Sequence, residues 1–199
     1  YTPMMQHYLK MKEENPDAIL FYRLGDFYEM FFDDAKLVSQ ELDLVLTGRS
    51  AGVEEKVPMC GVPFHAANSY ISRLVKKGYK VAICEQLEDP SNAKGLVDRG
   101  IVKIVTPGTY MDSTMDAKTT NYMASCDISS FEITVVYCEL STGELKYQTL
   151  QRSLVALQKA LLEQNVSELV CPMAMDKKWM SVLEEMETIL ISKHKKSSV

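Results

Sequence analysis

Residues 25–31 read Gly25-Asp26-Phe27-Tyr28-Glu29-Met30-Phe31. Before them comes a compact apolar and aromatic run, Ala18-Ile19-Leu20-Phe21-Tyr22, which is typical of a buried strand. After them, apolar residues recur at the spacing of a helix: Phe31, Ala35, Val38 and Leu42. We therefore predict that Gly25 and Asp26 form a corner between a strand and a helix.

This corner carries an aromatic ring beside an acid. Asp26 is a favourable N-cap residue, and Glu29 follows three residues later, at the spacing of a capping box near the positive end of a helix dipole. Phe27 has no such explanation, because the apolar stripe of the helix is filled from Phe31 onward. A ring and a carboxylate two residues apart can act together on a flat ligand with polar edges, and a nucleobase is such a ligand.

Four blocks of sequence carry a family resemblance. They are, in chain order, residues 25–35, Pro58-Met59-Cys60-Gly61-Val62-Pro63-Phe64-His65-Ala66, Val81-Ala82-Ile83-Cys84-Glu85-Gln86 and Ile104-Val105-Thr106-Pro107-Gly108-Thr109. Over roughly its first half, the chain resembles the N-terminal domain of the bacterial MutS family of DNA mismatch repair sensors. Two positions depart from the family pattern, because Phe64 stands where Tyr is usual and Gly100 where a charged residue is common.

The resemblance implies a set of DNA-binding residues. The family's Phe-x-Glu motif matches Phe27 and Glu29, which implies that Phe27 enters the minor groove and stacks on a mispaired base while Glu29 hydrogen-bonds to that base. Arg49 would lie near the DNA backbone, with an ordinary surface arginine in a loop as the alternative. Three residues near the end of the domain complete the set. Arg99 and Lys103 are expected on one face of a strand, and Thr106 is expected in a turn near the Phe27 wedge.

We predict an α/β chain in two parts. Residues 1–112 would form a mixed-sheet α/β mismatch-recognition domain, and residues 113–125, which are polar and lack periodicity at their start, a linker. Residues 126–199 follow the order hairpin, helix, strand and resemble the family's connector domain, whose fold is like ribonuclease H; we expect this domain to be partial and truncated. We also predict a strand over residues 42–47 and a helix over residues 179–191.

Composition and charge limit the function classes. The chain is 46% hydrophobic and 25% charged, it has no apolar run near the roughly 18 residues of a membrane span, and no signal-peptide pattern opens it. We therefore expect a soluble, cytoplasmic piece of a longer protein. Its net charge is −5, whereas a stand-alone duplex binder is normally basic. We expect only local DNA contact here, with other domains supplying most phosphate contacts.

Cysteines and histidines give no metal or disulfide pattern. The five cysteines contain no C-x-x-C pair and the three histidines lie far apart in sequence. We therefore expect reduced thiols, no metal site and no cofactor in this fragment.

Acidic residues leave an enzyme hypothesis open. The candidate Mg²⁺ ligands form two groups, Asp26, Glu29, Asp33 and Asp34 in the first part and Asp127, Glu139 and Glu144 in the second. Acids on an amphipathic helix usually form its solvated face, and Glu139 stands where ribonuclease H-like nucleases usually place an aspartate. We therefore predict that the fragment is not an enzyme, with a metal-dependent nuclease or a purely structural module as the alternatives.

Other family properties would belong to the longer parent. The sequence contains no G-x-x-x-x-G-K-[ST] phosphate loop, so ATP and Mg would bind to an ATPase domain in the C-terminal part of the parent. The resemblance also implies mismatched duplex DNA as a partner, a homodimer at full length and a MutL-type repair partner, with no membrane.

Overall fold

The computed structural model forms two compact units. It describes residues 1–89, 91, 94–110, 122–186 and 188–193. The units are Tyr1–Val105 and Thr106–Val199, and each contains a mixed sheet with helices, which confirms the predicted α/β class. Within the described residues, none of the helices combines the length and apolar character that a membrane crossing requires.

The first unit is built around a six-stranded sheet. Its strands are β1 (Ile19–Leu24), β2 (Phe27–Phe31), β3 (Thr47–Arg49), β4 (Val57–Pro63), β5 (Val81–Gln86) and β6 (Arg99–Val105). They lie in the order β3-β4-β2-β1-β5-β6; β1 and β5 run parallel and the other neighbours run antiparallel. The helices are α1 (Pro3–Glu14), α2 (Phe32–Leu42) and α3 (Ala67–Lys76), with a 3₁₀ turn at Phe64–Ala66 before α3.

The helices cover both faces of this sheet. Helix α1 begins where Thr2 Oγ1 accepts a hydrogen bond from the Met5 amide at 3.3 Å, and it buries Tyr8 against Tyr22 of β1. Helix α2 lies on the other face, where the Cys60 thiol of β4 contacts a carbonyl of α2. The core of the unit therefore consists of two apolar layers with the sheet between them.

The corner after β1 is a hairpin, so the predicted strand-to-helix corner is wrong. Leu24 of β1 pairs with Phe27 of β2, which leaves residues 25 and 26 as a two-residue loop. Such loops favour positive φ, and Gly25 has a φ of +58°. Asp26 is therefore not an N-cap, and α2 begins at Phe32 without a side-chain cap.

Burial along β2 explains this error. Tyr28 and Met30 are buried while Phe27 between the loop and Tyr28 is exposed, which is the period of two that a strand requires. The strand is only five residues long and runs directly into the true helical periodicity of α2. A short alternation next to a longer helical pattern is therefore hard to distinguish from the first turn of the helix.

The predicted strand over residues 42–47 is also wrong. Helix α2 continues to Leu42 and ends at Asp43, which adopts a left-handed φ of +54°. The Leu44 amide then donates to the Ser39 carbonyl at 3.0 Å, a bond that closes the helix end. Extended pairing begins only at Thr47.

An irregularity in β6 separates two predicted site residues. Lys103 lies opposite Ile83 and Ile101 lies opposite Cys84, so β6 contains one extra residue between these pairs. The extra residue reverses the alternation, and Arg99 lies on the opposite face from Lys103. The prediction that these two cations share one face is therefore wrong.

The second unit contains a five-stranded sheet. Its strands are β7 (Tyr122–Ile128), β8 (Glu132–Glu139), β9 (Glu144–Gln151), β10 (Val166–Cys171) and β11 (Leu190–Lys193), and its helices are α4 (Leu154–Glu163) and α5 (Lys177–Glu184). The order is β11-β10-β7-β8-β9, in which β7, β8 and β9 are antiparallel and β10 runs parallel to β7 and β11. This arrangement contains the predicted hairpin, helix and strand.

Two boundaries in this unit differ from the prediction. Strand β7 starts at Tyr122, so the last residues of the predicted linker belong to a strand, while residues 113–121 lie outside the described part. The helix predicted over residues 179–191 ends at Glu184, and Leu190 begins β11. The alternation of β7 depends on small side chains such as Ala124, which are weak indicators of a strand.

Candidate nucleic-acid interface

The β1–β2 hairpin presents Phe27 to solvent on a fixed backbone. The side chain is 47% exposed, although its residue pairs with Leu24 on one side and Pro63 on the other. The Asp26 carbonyl also accepts a hydrogen bond from the Phe64 amide at 2.8 Å, which extends the pairing beyond Phe27. The ring is therefore available to a ligand while the chain that carries it is held in place.

Glu29 shares a face with Phe27 because the two residues lie in a strand. Side chains two residues apart point to the same side in a strand but not in a helix. The Phe27 ring and the Glu29 carboxylate can therefore contact the same ligand from the hairpin, whereas the predicted helix would have pointed them apart. Gly61 lies opposite Glu29, and a Cβ on Gly61 would come within 3.4 Å of Glu29 Cγ. The missing side chain at Gly61 thus leaves room for Glu29.

The Glu29 carboxylate is paired with Arg49. Arg49 Nη1 donates to Glu29 Oε2 at 2.6 Å, and the side chains are 15% exposed for Glu29 and 37% exposed for Arg49. Burial raises the pKa of the Glu29 carboxyl, and the Arg49 guanidinium offsets part of that shift. The structure therefore brings Glu29 and Arg49 together, with Phe27 on the same face of the sheet.

The other three predicted residues lie elsewhere. The guanidinium of Arg99 is buried and donates to the carbonyls of Arg23 at 2.8 Å and Val97 at 2.9 Å. Lys103 is exposed, but on the sheet face opposite Phe27. Thr106 is buried in the second unit, where it closes a turn with Thr109 at an Oγ1–Oγ1 distance of 2.7 Å.

Sequence reasoning missed a polar group behind the hairpin. Arg23 points to the face opposite Phe27 and contacts the Gly25 carbonyl, the Phe64 ring and the Glu85 carboxylate. The one local signal was an arginine in an otherwise apolar strand. Its partners could not be inferred, because Glu85 is 62 residues away in the chain.

The first acidic group is dispersed by its ion pairs. Asp34 is buried and accepts from Lys12 Nζ at 2.9 Å and from the Leu20 amide at 2.9 Å, whereas Asp33 is exposed. The Glu29 carboxylate is engaged by Arg49. These acids therefore do not converge on a common point.

In the second acidic group, Asp127 is separated along the sheet from Glu139 and Glu144, which lie opposite each other in β8 and β9. Asp127 pairs with Thr134 whereas Glu139 pairs with Tyr122, so the two acids are five residues apart along β7, or about 16 Å. The Glu139 carboxylate accepts hydrogen bonds from Ser141 and Thr142, which lower its pKa to about 2. Among the described residues, no group of three or more His, Cys, Asp or Glu side chains is placed to hold a metal ion.

Fold and site together define a mixed-sheet α/β domain that presents an aromatic ring and an adjacent acid from a hairpin. The family described as MutS domain I matches residues 2–114. Because this match covers more than half of the sequence, the chain belongs to the MutS domain I family.

Individual relatives agree with this assignment. The chain is 52% identical over 177 residues to a DNA mismatch repair protein MutS from Clostridium botulinum (strain Loch Maree / Type A3), a match that covers 84% of this chain and 19% of the relative. It is 60% identical over 144 residues to a DNA mismatch repair protein MutS from Clostridium tetani (strain Massachusetts / E88), covering 72% of this chain and 16% of the relative. The chain thus spans about a fifth of the length of these relatives.

Proposed function

We propose that the chain is the DNA mismatch-recognition module of a mismatch repair sensor and binds mispaired or unpaired bases in duplex DNA. The observation that carries this proposal is the exposed Phe27 ring on a fixed hairpin, with Glu29 on the same face. Membership in the MutS domain I family supports it, as do relatives that are named DNA mismatch repair proteins.

Phe27 acts as a wedge in the minor groove. Opening a base step costs a few kcal/mol, and stacking a base on an aromatic ring returns about 1–3 kcal/mol. These two quantities are similar, so the balance depends on how easily the step deforms. A mispaired step has lost part of its pairing energy and deforms more readily than a matched one, so insertion is favoured at the mismatch.

Glu29 supplies a hydrogen bond to the edge of the stacked base. Its carboxylate accepts a hydrogen bond from a base N–H when ionised, and its carboxyl group donates a hydrogen bond to a ring nitrogen when protonated. Burial raises its pKa and makes protonation easier, while Arg49 holds the carboxylate in one position. Deformability then provides most of the discrimination, and Glu29 orients the base.

DNA contact by this module is local. The chain carries a net charge of −5, and the Arg49 guanidinium is already paired with Glu29. Other parts of a longer protein would supply most of the phosphate contacts. In this proposal the module itself is noncatalytic and cytoplasmic.

The remaining family properties concern that longer protein. We propose that the longer protein binds ATP and Mg in a C-terminal ATPase domain, forms a homodimer and binds a MutL-type repair partner. The sequence of this chain has no phosphate loop that would hold ATP, which is consistent with placing that activity elsewhere.

Base unstacking tests the wedge directly. The assay uses a chimera in which this chain replaces the matching segment of a full-length relative, together with a duplex that carries 2-aminopurine beside a G·T mispair. The wild-type chimera is expected to raise the 2-aminopurine fluorescence on binding, and Phe27→Ala is expected to abolish the rise. Phe131→Ala is the matched control, because Phe131 is 88% exposed in the second unit.

One result would contradict the proposal, and a second would show that the assay does not report on the wedge. One is an equal fluorescence rise with the Phe27→Ala chimera, which would show that another group opens the step. The other is an equal loss with Phe131→Ala, which would show that the assay responds to any lost ring.

A further inference from the structure

The loop of the β1–β2 hairpin is fastened from the face opposite Phe27. Arg23 pairs with Tyr28 across the two strands, so both side chains lie behind the ring of Phe27. Arg23 Nε donates to the carbonyl of Gly25 at 2.5 Å. This carbonyl belongs to the two-residue loop itself, so the bond ties the loop to the strand that precedes it.

The Arg23 guanidinium is held on two further sides. Its central carbon lies 3.9 Å from the centroid of the Phe64 ring, and Nη1 lies 3.5 Å from Glu85 Oε2. The Tyr28 hydroxyl donates to the other oxygen of Glu85. Because the Arg23 side chain is only 16% exposed, these contacts are shielded from water and hold the guanidinium in one orientation.

The Phe64 backbone closes the arrangement. Its amide donates to the Asp26 carbonyl at 2.8 Å, while its ring stacks on Arg23. Both loop residues, Gly25 and Asp26, therefore have their carbonyls bound by this one group of contacts. Phe27 follows directly in the chain.

We propose that Arg23 is a positioning residue that holds the hairpin loop so that Phe27 is presented in one orientation before DNA arrives. This inference rests on the proposed function of Phe27 as a wedge. A loose loop would have to be ordered during insertion, and that cost would add to the cost of opening the base step. Arg23 removes the ordering cost and never touches the DNA itself.

Lysine cannot replace Arg23 in this role. A guanidinium is planar and donates from its edge to the Gly25 carbonyl while its face stacks on Phe64. An ammonium is a point donor without a stacking face, so it keeps the charge and loses the geometry. Arg23→Lys therefore separates positioning from charge.

The first measurement requires no DNA. The chain is labelled with fluorophenylalanine, and the ¹⁹F resonance of Phe27 is assigned by its absence in Phe27→Leu. Arg23→Lys is expected to shift or broaden the Phe27 resonance and to leave in place that of the buried Phe31, which lies on the sheet face opposite Arg23. An unchanged Phe27 resonance would overturn the proposal.

A second variant covers the case in which Arg23→Lys fails to fold. Phe64→Leu removes the stacking face from a residue that is 44% exposed and leaves Arg23 intact. It is expected to loosen Phe27 in the same direction. A Phe27 resonance that is insensitive to Phe64→Leu would also count against the proposal.

The second measurement is the ratio of heteroduplex to homoduplex affinity in the chimera. Arg23→Lys is expected to lower this ratio about three- to tenfold, the scale of one ordinary net hydrogen bond. Arg73→Lys, at an exposed position of α3, is the matched control and is expected to have no effect. A merely structural role would lower both affinities equally and leave the ratio unchanged.

The two measurements separate failure of this inference from failure of the proposed function. If Phe27→Ala abolishes the preference for the heteroduplex and Arg23→Lys leaves it intact, Arg23 is not a positioning residue and the wedge survives. If Arg23→Lys alters the Phe27 resonance but Phe27→Ala discriminates normally, the positioning contact stands and the wedge is refuted.

Discussion

Removing Arg49 should lower the free energy of unfolding, because the shielded Glu29 carboxylate then has a charge without a partner. Arg49→Ala takes away the one ion pair shown for Glu29, whose side chain is 15% exposed. A shielded charge without its partner costs about 1–3 kcal/mol. Because Arg49 itself is 37% exposed and its attraction is screened, we expect a loss near the lower half of that range, about 1–2 kcal/mol at pH 7.

The stability lost in Arg49→Ala should increase as the pH rises. Burial already raises the pKa of Glu29 above its ordinary value of 4.5, and Arg49→Ala raises it further. A raised carboxyl pKa in the folded state means that stability is retained below 4.5 and lost as the pH rises through the folded-state pKa. Arg49→Ala is therefore expected to be costly at pH 7 and nearly silent at pH 4.

Urea unfolding followed by circular dichroism measures this loss. Trp179, the single tryptophan, lies in the second unit, so its fluorescence serves as an internal control that should not respond. The double variant Glu29→Gln with Arg49→Ala should recover most of the stability at pH 7, because the unpaired charge is gone. An Arg49→Ala loss that is equal at both pH values, or unrelieved by Glu29→Gln, would refute the reasoning.

Two further predictions concern the backbone and the second unit. Gly25→Ala should destabilise the first unit by about 1–2 kcal/mol in urea unfolding, because a φ of +58° strains any residue with a Cβ. The strain comes from the backbone alone, since no atom lies within 4 Å of a Cβ placed on Gly25. An unchanged urea midpoint would contradict the hairpin geometry. Glu139→Gln should make Tm fall less steeply in acid than it does in the wild type. Hydrogen bonds from Ser141 and Thr142 lower the pKa of Glu139 to about 2, so the stabilisation by its carboxylate is lost as the pH falls below 4.5. Parallel Tm profiles for wild type and Glu139→Gln between pH 6 and pH 3 would count against this prediction.

Phe27 and Glu29 could be proposed as site residues from sequence although the local structure predicted around them was wrong. Phe27 and Glu29 drew attention because a large ring without a packing role stood beside an acid, and that argument holds in a helix or a strand. The strand itself was missed because five alternating residues run into the helical pattern of α2. The apolar run at residues 18–22, which is bounded by polar residues and a turn, correctly indicated strand β1.

The partners of these residues depend on long-range pairing. Arg49 meets Glu29 across 20 residues, because β4 lies between their strands and brings β3 alongside. Arg99 and Lys103 lie on opposite faces of the sheet because β6 contains one extra residue between them. Their even spacing in the sequence gives no indication of this extra residue. Local patterns do not specify such pairings. DNA binding by the six predicted residues, Arg99, Lys103 and Thr106 among them, remains a prediction.

The relative affinity for mismatched and matched DNA is the decisive measurement of whether Phe27 acts as a wedge. The measurement compares binding of a G·T heteroduplex and its matched homoduplex at one fixed salt concentration, using the wild-type chimera and the Phe27→Ala chimera side by side. Phe27→Ala is expected to fold normally and to lose the preference for the heteroduplex. Equal discrimination by both proteins would show that Phe27 does not read the mismatch.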